Sequence, residues 1–259
     1  MNERIVEFKD KQGRKIVGTL LVPEWTKPLP AVIICHDFKG NRNQVHIKAI
    51  AEAVTRTGLA TLRFDFTHDP GESSLPFEDM TVSYELEVLD QAVKFLKEQK
   101  EINPEKIGIA GHYLGGLVVS WYSANHPEIK ALVPLSAVYS FTKSFESHYS
   151  DYIKEAREKG FGYVYSRSSR RNLKLNKSFY EDGVGYEMDK KIETINCPIM
   201  VLCGTKDSLL SHTQNYFDRV QSGNKQLKII KGSDHDYTNP EHLKQVCESV
   251  SSWFSETLV

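Results

Sequence analysis

The stretch Ile107-Gly108-Ile109-Ala110-Gly111-His112-Tyr113-Leu114-Gly115-Gly116-Leu117-Val118 limits what this chain can fold into more than any other. An apolar, strand-like run ends at Gly111, and a helical pattern begins within three residues. Glycines stand two places before and two places after Tyr113. That spacing suits a sharp strand-to-helix bend whose central residue takes strained backbone geometry. A Cβ on either flank would collide with the bend or with the neighbouring strand. The residue carried on such a bend is normally a small nucleophile, and here it is a tyrosine.

The rest of the chain is read around that bend. Residues 3–8 and 15–22 read as two strands about the turn Asp10-Lys11-Gln12-Gly13. Pro30–Cys35 is a continuous apolar run, as expected of a strand buried on both faces. A helical pattern over 43–57 stops at Gly58, and Leu59–Asp65 is the next strand. A long helix follows over 81–100, closed by Asn103-Pro104. After the bend come a helix to about 126 and a strand at 129–135. Alternation resumes with strands at 197–203 and 227–231 and helices near 212–221 and 240–256. This rhythm predicts an α/β fold, a mostly parallel central sheet flanked by helices with a hairpin at one edge. Residues 138–192 are polar, aromatic and basic without a clear buried strand. They read as a cap inserted into a core formed by 1–137 and 193–259, above the strand ends where open α/β sheets place ligands.

Composition narrows the partners. The 259 residues carry a formal net charge of -1, so no global field draws the chain to nucleic acid or to an anionic membrane. No stretch approaches a membrane span, and Met1–Glu7 lacks the apolar run of a signal peptide, so the expected location is cytoplasmic. Cys35, Cys197, Cys203 and Cys247 show no CxxC spacing and read as small buried thiols. A small-molecule ligand is the expected partner, with no cofactor and no metal; a homodimer is left open.

Several segments in order, Ala31–Asn43, Leu59–Ser73, Phe77–Thr81, Gly111–Gly116, Gly204–Asp207 and Gly232–His235, make the chain resemble the α/β-hydrolase superfamily over nearly its whole length. Within it, the chain looks most like the small bacterial cinnamoyl or feruloyl esterases and related capped carboxylesterases. The resemblance implies a nucleophile–acid–His order, with Tyr113 on the nucleophile elbow, Asp207 as the acid and His235 as the base. By correspondence the backbone amides of Phe38 and Leu114 form the oxyanion hole. A carboxylate on one imidazole nitrogen would fix the tautomer and leave the other nitrogen free to move a proton.

Three departures complicate that picture. A phenol has an ordinary pKa of about 10, and on the elbow it would fill the place of a substrate acyl carbon. Tyr113 is expected to aim toward His235 as a nucleophile, a proton donor, a ligand contact or a plug, and an introduced substitution is a further alternative. Asp37 stands beside the oxyanion amides, where a carboxylate opposes a developing oxyanion unless it points away or pairs with Lys39 or Arg42. The loop His68-Asp69-Pro70-Gly71-Glu72-Ser73 replaces the Gly-His-Gly-like turn of relatives. It adds His68 to the pocket candidates His36, Asp37 and His112. His68 and Asp69, with His36, Asp37, Asp207 and His235, are ligand types for a divalent metal, yet no tight spacing supports one. The aromatic and basic run Tyr163–Lys174 reads as a solvated face. Three functions remain: an esterase-like enzyme with weak or absent serine-hydrolase activity, a non-catalytic binding protein, and an acid–base enzyme using Tyr113 with His235.

Overall fold

The computed structural model describes residues 1–259. Its main sheet has eight strands: β1 (Asn2–Lys9), β2 (Lys15–Val22), β3 (Leu29–Cys35), β4 (Ala60–Phe64), β5 (Ile102–His112), β6 (Ala131–Leu135), β9 (Ile199–Gly204) and β10 (Lys225–Ile230). They lie in the order β1-β2-β4-β3-β5-β6-β9-β10. The β1–β2 and β2–β4 pairings are antiparallel and all others parallel, so the edge hairpin is followed by a doubly wound parallel sheet. Central β3 is buried along almost its whole length, as its unbroken apolar run demands. Strand β5 begins earlier than the sequence pattern suggests. Its Asn103-Pro104 segment falls at a register irregularity against β3, where a missing proline N–H costs no regular ladder bond.

Helices cover both faces. On one side α1 (Val45–Arg56) and α8 (Pro240–Leu258) bury Ile47, Ile50, Val54, Val250 and Phe254 against β3, β6 and β9. On the other side lie α2 (Val82–Lys97), α3 (Leu114–Asn125) and α7 (Leu210–Arg219). Helix α2 starts at Thr81, whose hydroxyl accepts from the Tyr84 N–H, and α8 starts at Asn239 with Pro240 in its first turn. No helix is long and apolar enough to cross a membrane.

The segment between β6 and β9 is more regular than its polar sequence suggests. It holds α4 (Phe141–His148), α5 (Ser150–Lys159), a separate antiparallel hairpin of β7 (Phe161–Ser166) and β8 (Arg171–Asn176), α6 (Lys177–Gly183) and two 3-10 turns. Strand β7 alternates buried Gly162 and Val164 with outward Tyr163 and Tyr165, a period-two pattern that its basic neighbours mask. Phe141, Phe145, Ile153, Leu175, Phe179 and Met188 join the same apolar cluster as α2 and α3. The insertion therefore shares the main core.

The bend between β5 and α3 is built as its glycines require. Tyr113 alone separates strand from helix and takes φ 51 and ψ -111. A Cβ on Gly111 would lie 2.2 Å from the Gly115 carbonyl oxygen, and one on Gly115 would lie 2.3 Å from that of His36. A Cβ on Gly116 would lie 2.6 Å from the Ala137 Cβ. Because the first two clashes are with backbone, side-chain repacking cannot relieve them. Gly115→Ala is expected to destabilise the protein by about 2–4 kcal/mol in urea denaturation, whereas the same change at Gly223, in open space, stays within about 1 kcal/mol.

Candidate active site

The two loops that follow β9 and β10 meet because Gly204 lacks a side chain. A Cβ there would lie 2.3 Å from the Ser233 carbonyl oxygen. The loops are then tied by Lys206 N–H to the Ser233 carbonyl at 2.9 Å and Gly232 N–H to the Thr205 hydroxyl at 2.8 Å. This brings His235 Nδ1 to 2.9 Å from Asp207 Oδ2, while Asp207 Oδ1 accepts the Leu209 N–H at 2.9 Å. Burial opposes charge on His235, but the hydrogen bond and charge of Asp207, with Asp236 and Asp37, prevail and raise its pKa above the ordinary imidazole value. Burial likewise opposes the Asp207 anion, and the His235 contact overcomes it and holds the carboxyl below its usual range. His235 Nε2 makes no hydrogen bond within the chain, and the side chain is about one-third exposed at 32%.

Tyr113 stands on the bend, but its hydroxyl does not reach His235. The ring meets the imidazole edge-on, at 5.2 Å between centroids and 89° between planes. Its hydroxyl lies 3.2 Å from Ser144 Oγ on α4. Burial pushes the phenol up to about 12 despite that hydrogen bond. The backbone of a β5–α3 bend aims residue 113 above the sheet, and the length of a phenol carries its oxygen past the imidazole into the inserted segment. Around it Phe38 packs on Phe145, Tyr149 and Phe179, and Phe145 stacks on Phe141 at 4.2 Å.

The segment Asp37–Phe38 is held from behind by His36. Its Nε2 accepts the Phe66 N–H at 3.2 Å, so Nδ1 carries the proton and donates to the Asp37 carbonyl at 2.8 Å. A trans peptide points its N–H opposite its C=O, and the Phe38 N–H, on that same peptide, finds no acceptor in the chain. Leu114 is the first residue of α3, where an amide has no partner within the helix. His36 is thus a backbone support, not a pocket wall.

Asp37 does not pair with either expected cation. Arg42 is drawn instead to Asp65 and Glu72, and Lys39 Nζ donates to the Tyr165 carbonyl at 3.0 Å. Asp37 Oδ1 accepts from Gln44 Nε2 at 2.8 Å, and Oδ2 lies 3.9 Å from His112 Nδ1. Burial pushes the Asp37 carboxyl up to about 6, against the lowering effects of Gln44, His235 and Lys39. His112 is wholly buried behind the bend.

His68 is exposed and lies outside the site. Its loop turns toward the inserted hairpin, where Asp69 pairs with Arg171. The hairpin tip also touches the other two loops. Ser168 donates to the Lys39 carbonyl at 2.8 Å, and Arg167 lies 3.4 Å from Asp236. No three His, Cys, Asp or Glu side chains converge as a metal-binding set. Within the run 163–174, Tyr163 and Tyr165 are exposed, whereas Val164, Ser166 and Leu173 are buried. Four residues near the site escaped sequence reasoning: Ser144 and Tyr149 from the inserted segment, and His46 and Tyr237 beside His112. Only His46 carried a signal, as an imidazole on the apolar face of a helical pattern.

A model of the prolyl oligopeptidase family matches residues 84–259, which include the bend and both loops. The chain belongs to that family. An Escherichia coli relative, an uncharacterized 31.7 kDa protein in the traX-finO intergenic region, is 27% identical over 98% of this chain and 100% of its own length. The solved structure of Est1E from Butyrivibrio proteoclasticus with ferulic acid superposes with a TM-score of 0.84 at 24% identity, covering 97% of this chain and 98% of that one. The alpha/beta hydrolase GrgF from Penicillium sp. sh18 gives 0.81 at 18% identity, over 100% and 99%. This member of the prolyl oligopeptidase family therefore has the α/β-hydrolase fold.

Burial makes ionisation of Asp37 work against the fold. Its folded pKa of about 6 exceeds the unfolded 3.8, so its stabilising contribution is complete below pH about 4 and is lost as pH rises through about 6. Asp37→Asn, which keeps the Gln44 hydrogen bond, should gain on the order of 1–3 kcal/mol over the wild type at neutral pH and little at pH about 4, read from paired thermal melts.

Proposed function

We propose that this protein binds a small ester, with an aromatic acyl group as the favoured class, beneath the segment 138–192, and that it turns such esters over weakly or not at all. The observation that carries this reading is the direction of Tyr113: its hydroxyl bonds to Ser144 instead of His235, and its ring meets the imidazole only edge-on. An attacking oxygen needs a base within hydrogen-bond reach, and a phenol pushed up to about 12 stays protonated near neutral pH. The same lack of a Tyr113–His235 hydrogen bond weighs against an acid–base enzyme built on that pair.

What supports an esterase origin is the machinery around the phenol. The Asp207–His235 hydrogen bond, a free imidazole nitrogen and the unbonded Phe38 amide are the parts of an acyl-transfer site apart from its nucleophile. The ferulic acid held by the Butyrivibrio protein motivates the aromatic acyl class. Residues 138–192 act as the cap in this reading, and the site is taken to work in the cytoplasm.

The experiment pairs a fluorophosphonate probe with a short-chain p-nitrophenyl ester. The wild type is expected to label slowly and to turn over near background. Tyr113→Ser removes the ring and places a hydroxyl on the bend, and ester hydrolysis should rise about 10²-fold, with labelling at residue 113. Brisk, stoichiometric labelling of the wild type would sink the proposal. A folded Tyr113→Ser protein without activity would show that Asp37 or the altered loop has disabled the site as well.

A further inference from the structure

Asp37 is the carboxylate beside the Phe38 amide and His112 lies behind it, and the geometry between the two is unusual. The His112 ring is sealed from solvent between the rings of His46 and His235, at 4.5 and 4.6 Å. Its Nε2 lies 3.0 Å from the His235 carbonyl oxygen, and a carbonyl only accepts, so Nε2 carries the proton. In a neutral imidazole Nδ1 is then a bare lone pair, and here it is buried without a partner. The nearest charged atom is Asp37 Oδ2, at 3.9 Å. An ionised carboxylate also only accepts. His112 Nδ1 is the buried one of these two facing acceptors and is left with its hydrogen bond unmade; a single proton between it and the partly exposed Asp37 Oδ2 would supply that bond.

We propose that Asp37 and His112 share a proton, and that His112 is a positioning residue that passes the protonation state of Asp37 to the backbone of His235. In the protonated form the Asp37 hydroxyl donates to His112 Nδ1, after the pair closes by about 1 Å to ordinary hydrogen-bond distance. Donation into Nδ1 polarises the ring, strengthens Nε2–H as a donor to the His235 carbonyl and draws the base-bearing loop inward. In the ionised form repulsion between carboxylate and lone pair holds the two apart at the separation observed.

The surroundings agree with proton uptake by this pair. Asp37 is faced by Gln44 at the N-cap of α1, His112 from β5, His235 and Asp236 from the loop after β10, and Lys39 on its own segment. Glu85 of α2 is close enough to feel its charge, as is Tyr149. His46, His235 and Tyr237 enclose His112. Lys39 and His235 favour the carboxylate, Asp236 opposes it, and burial outweighs them to bring the carboxyl to about 6. His112 itself is held far below the ordinary imidazole value by burial and by His46 and His235. The carboxyl is therefore the first of the two to take the proton.

Histidine side-chain 15N NMR on the full chain reads this directly and needs no substrate, so it is independent of whether esters are hydrolysed. Between about pH 4.5 and 8.5, the His112 Nδ1 resonance should step with a midpoint near about 6. His235 should show a small step at the same midpoint beside its own larger titration at higher pH. Asp37→Asn should erase the shared step at both residues and leave the larger His235 titration in place. A His112 Nδ1 resonance that stays flat in the wild type would overturn the proposal, as would a shared step that survives in Asp37→Asn. The wild-type titration decides the first point even if the variant folds poorly.

Discussion

The site depends on one steric constraint. Strand β5 must end, reverse direction and start α3 within a single residue. The left-handed φ of Tyr113 accomplishes that, while Gly111, Gly115 and Gly116 allow backbone and Cβ atoms to approach within distances no side chain permits. Backbone strain of this kind costs of order 1–3 kcal/mol and persists only where the surroundings enforce it. Here they do: the Tyr113 N–H is bonded to the Leu135 carbonyl and its own carbonyl accepts from Leu117 and Val138. Whatever side chain occupies position 113 is therefore held above the sheet, whether or not it is a useful nucleophile.

Tyrosine at that position changes what the rest of the site can do. Its ring joins an aromatic cluster that runs from Phe38 through Phe145 to Phe179, so apolar surface packs above the bend. The Asp207–His235 pair keeps its hydrogen bond because it is built from other loops, tied together through Gly204 and Ser233. The Asp207–His235 pair and position 113 are thus structurally separable, and one can change while the other stays intact. The inserted hairpin lies over both, touching Lys39, Asp69 and Asp236 from one tip.

Much of the fold was legible because its signals are local. An apolar run such as Pro30–Cys35 has one compact use, and a glycine-flanked bend has few alternatives. The inserted segment was not legible for the same reason. Val164, Leu173 and Leu175 are inward-facing residues of a short hairpin, and single apolar residues among Arg, Lys and Ser carry almost no periodic signal. At the site, the pairing of Asp207 with His235 followed from the resemblance to the α/β-hydrolases, whose order of acid and imidazole these two strand ends match. The partners of Asp37 did not follow from sequence: Lys39 and Arg42 were nearer along the chain, but Asp65 and the Tyr165 carbonyl claim them in space.

The sequence alone determined that a parallel sheet carries a strained residue on a glycine-cleared bend, with an acid and an imidazole after two later strands, because these are properties of backbone sterics and strand order. Tertiary structure alone decided where the side chains point. It sent the Tyr113 hydroxyl to Ser144, turned His68 outward and enclosed His112 between two other rings and a carboxylate. Those outcomes rest on contacts between residues far apart in the chain. Their energies depend on burial and hydrogen-bond partners that no local pattern encodes.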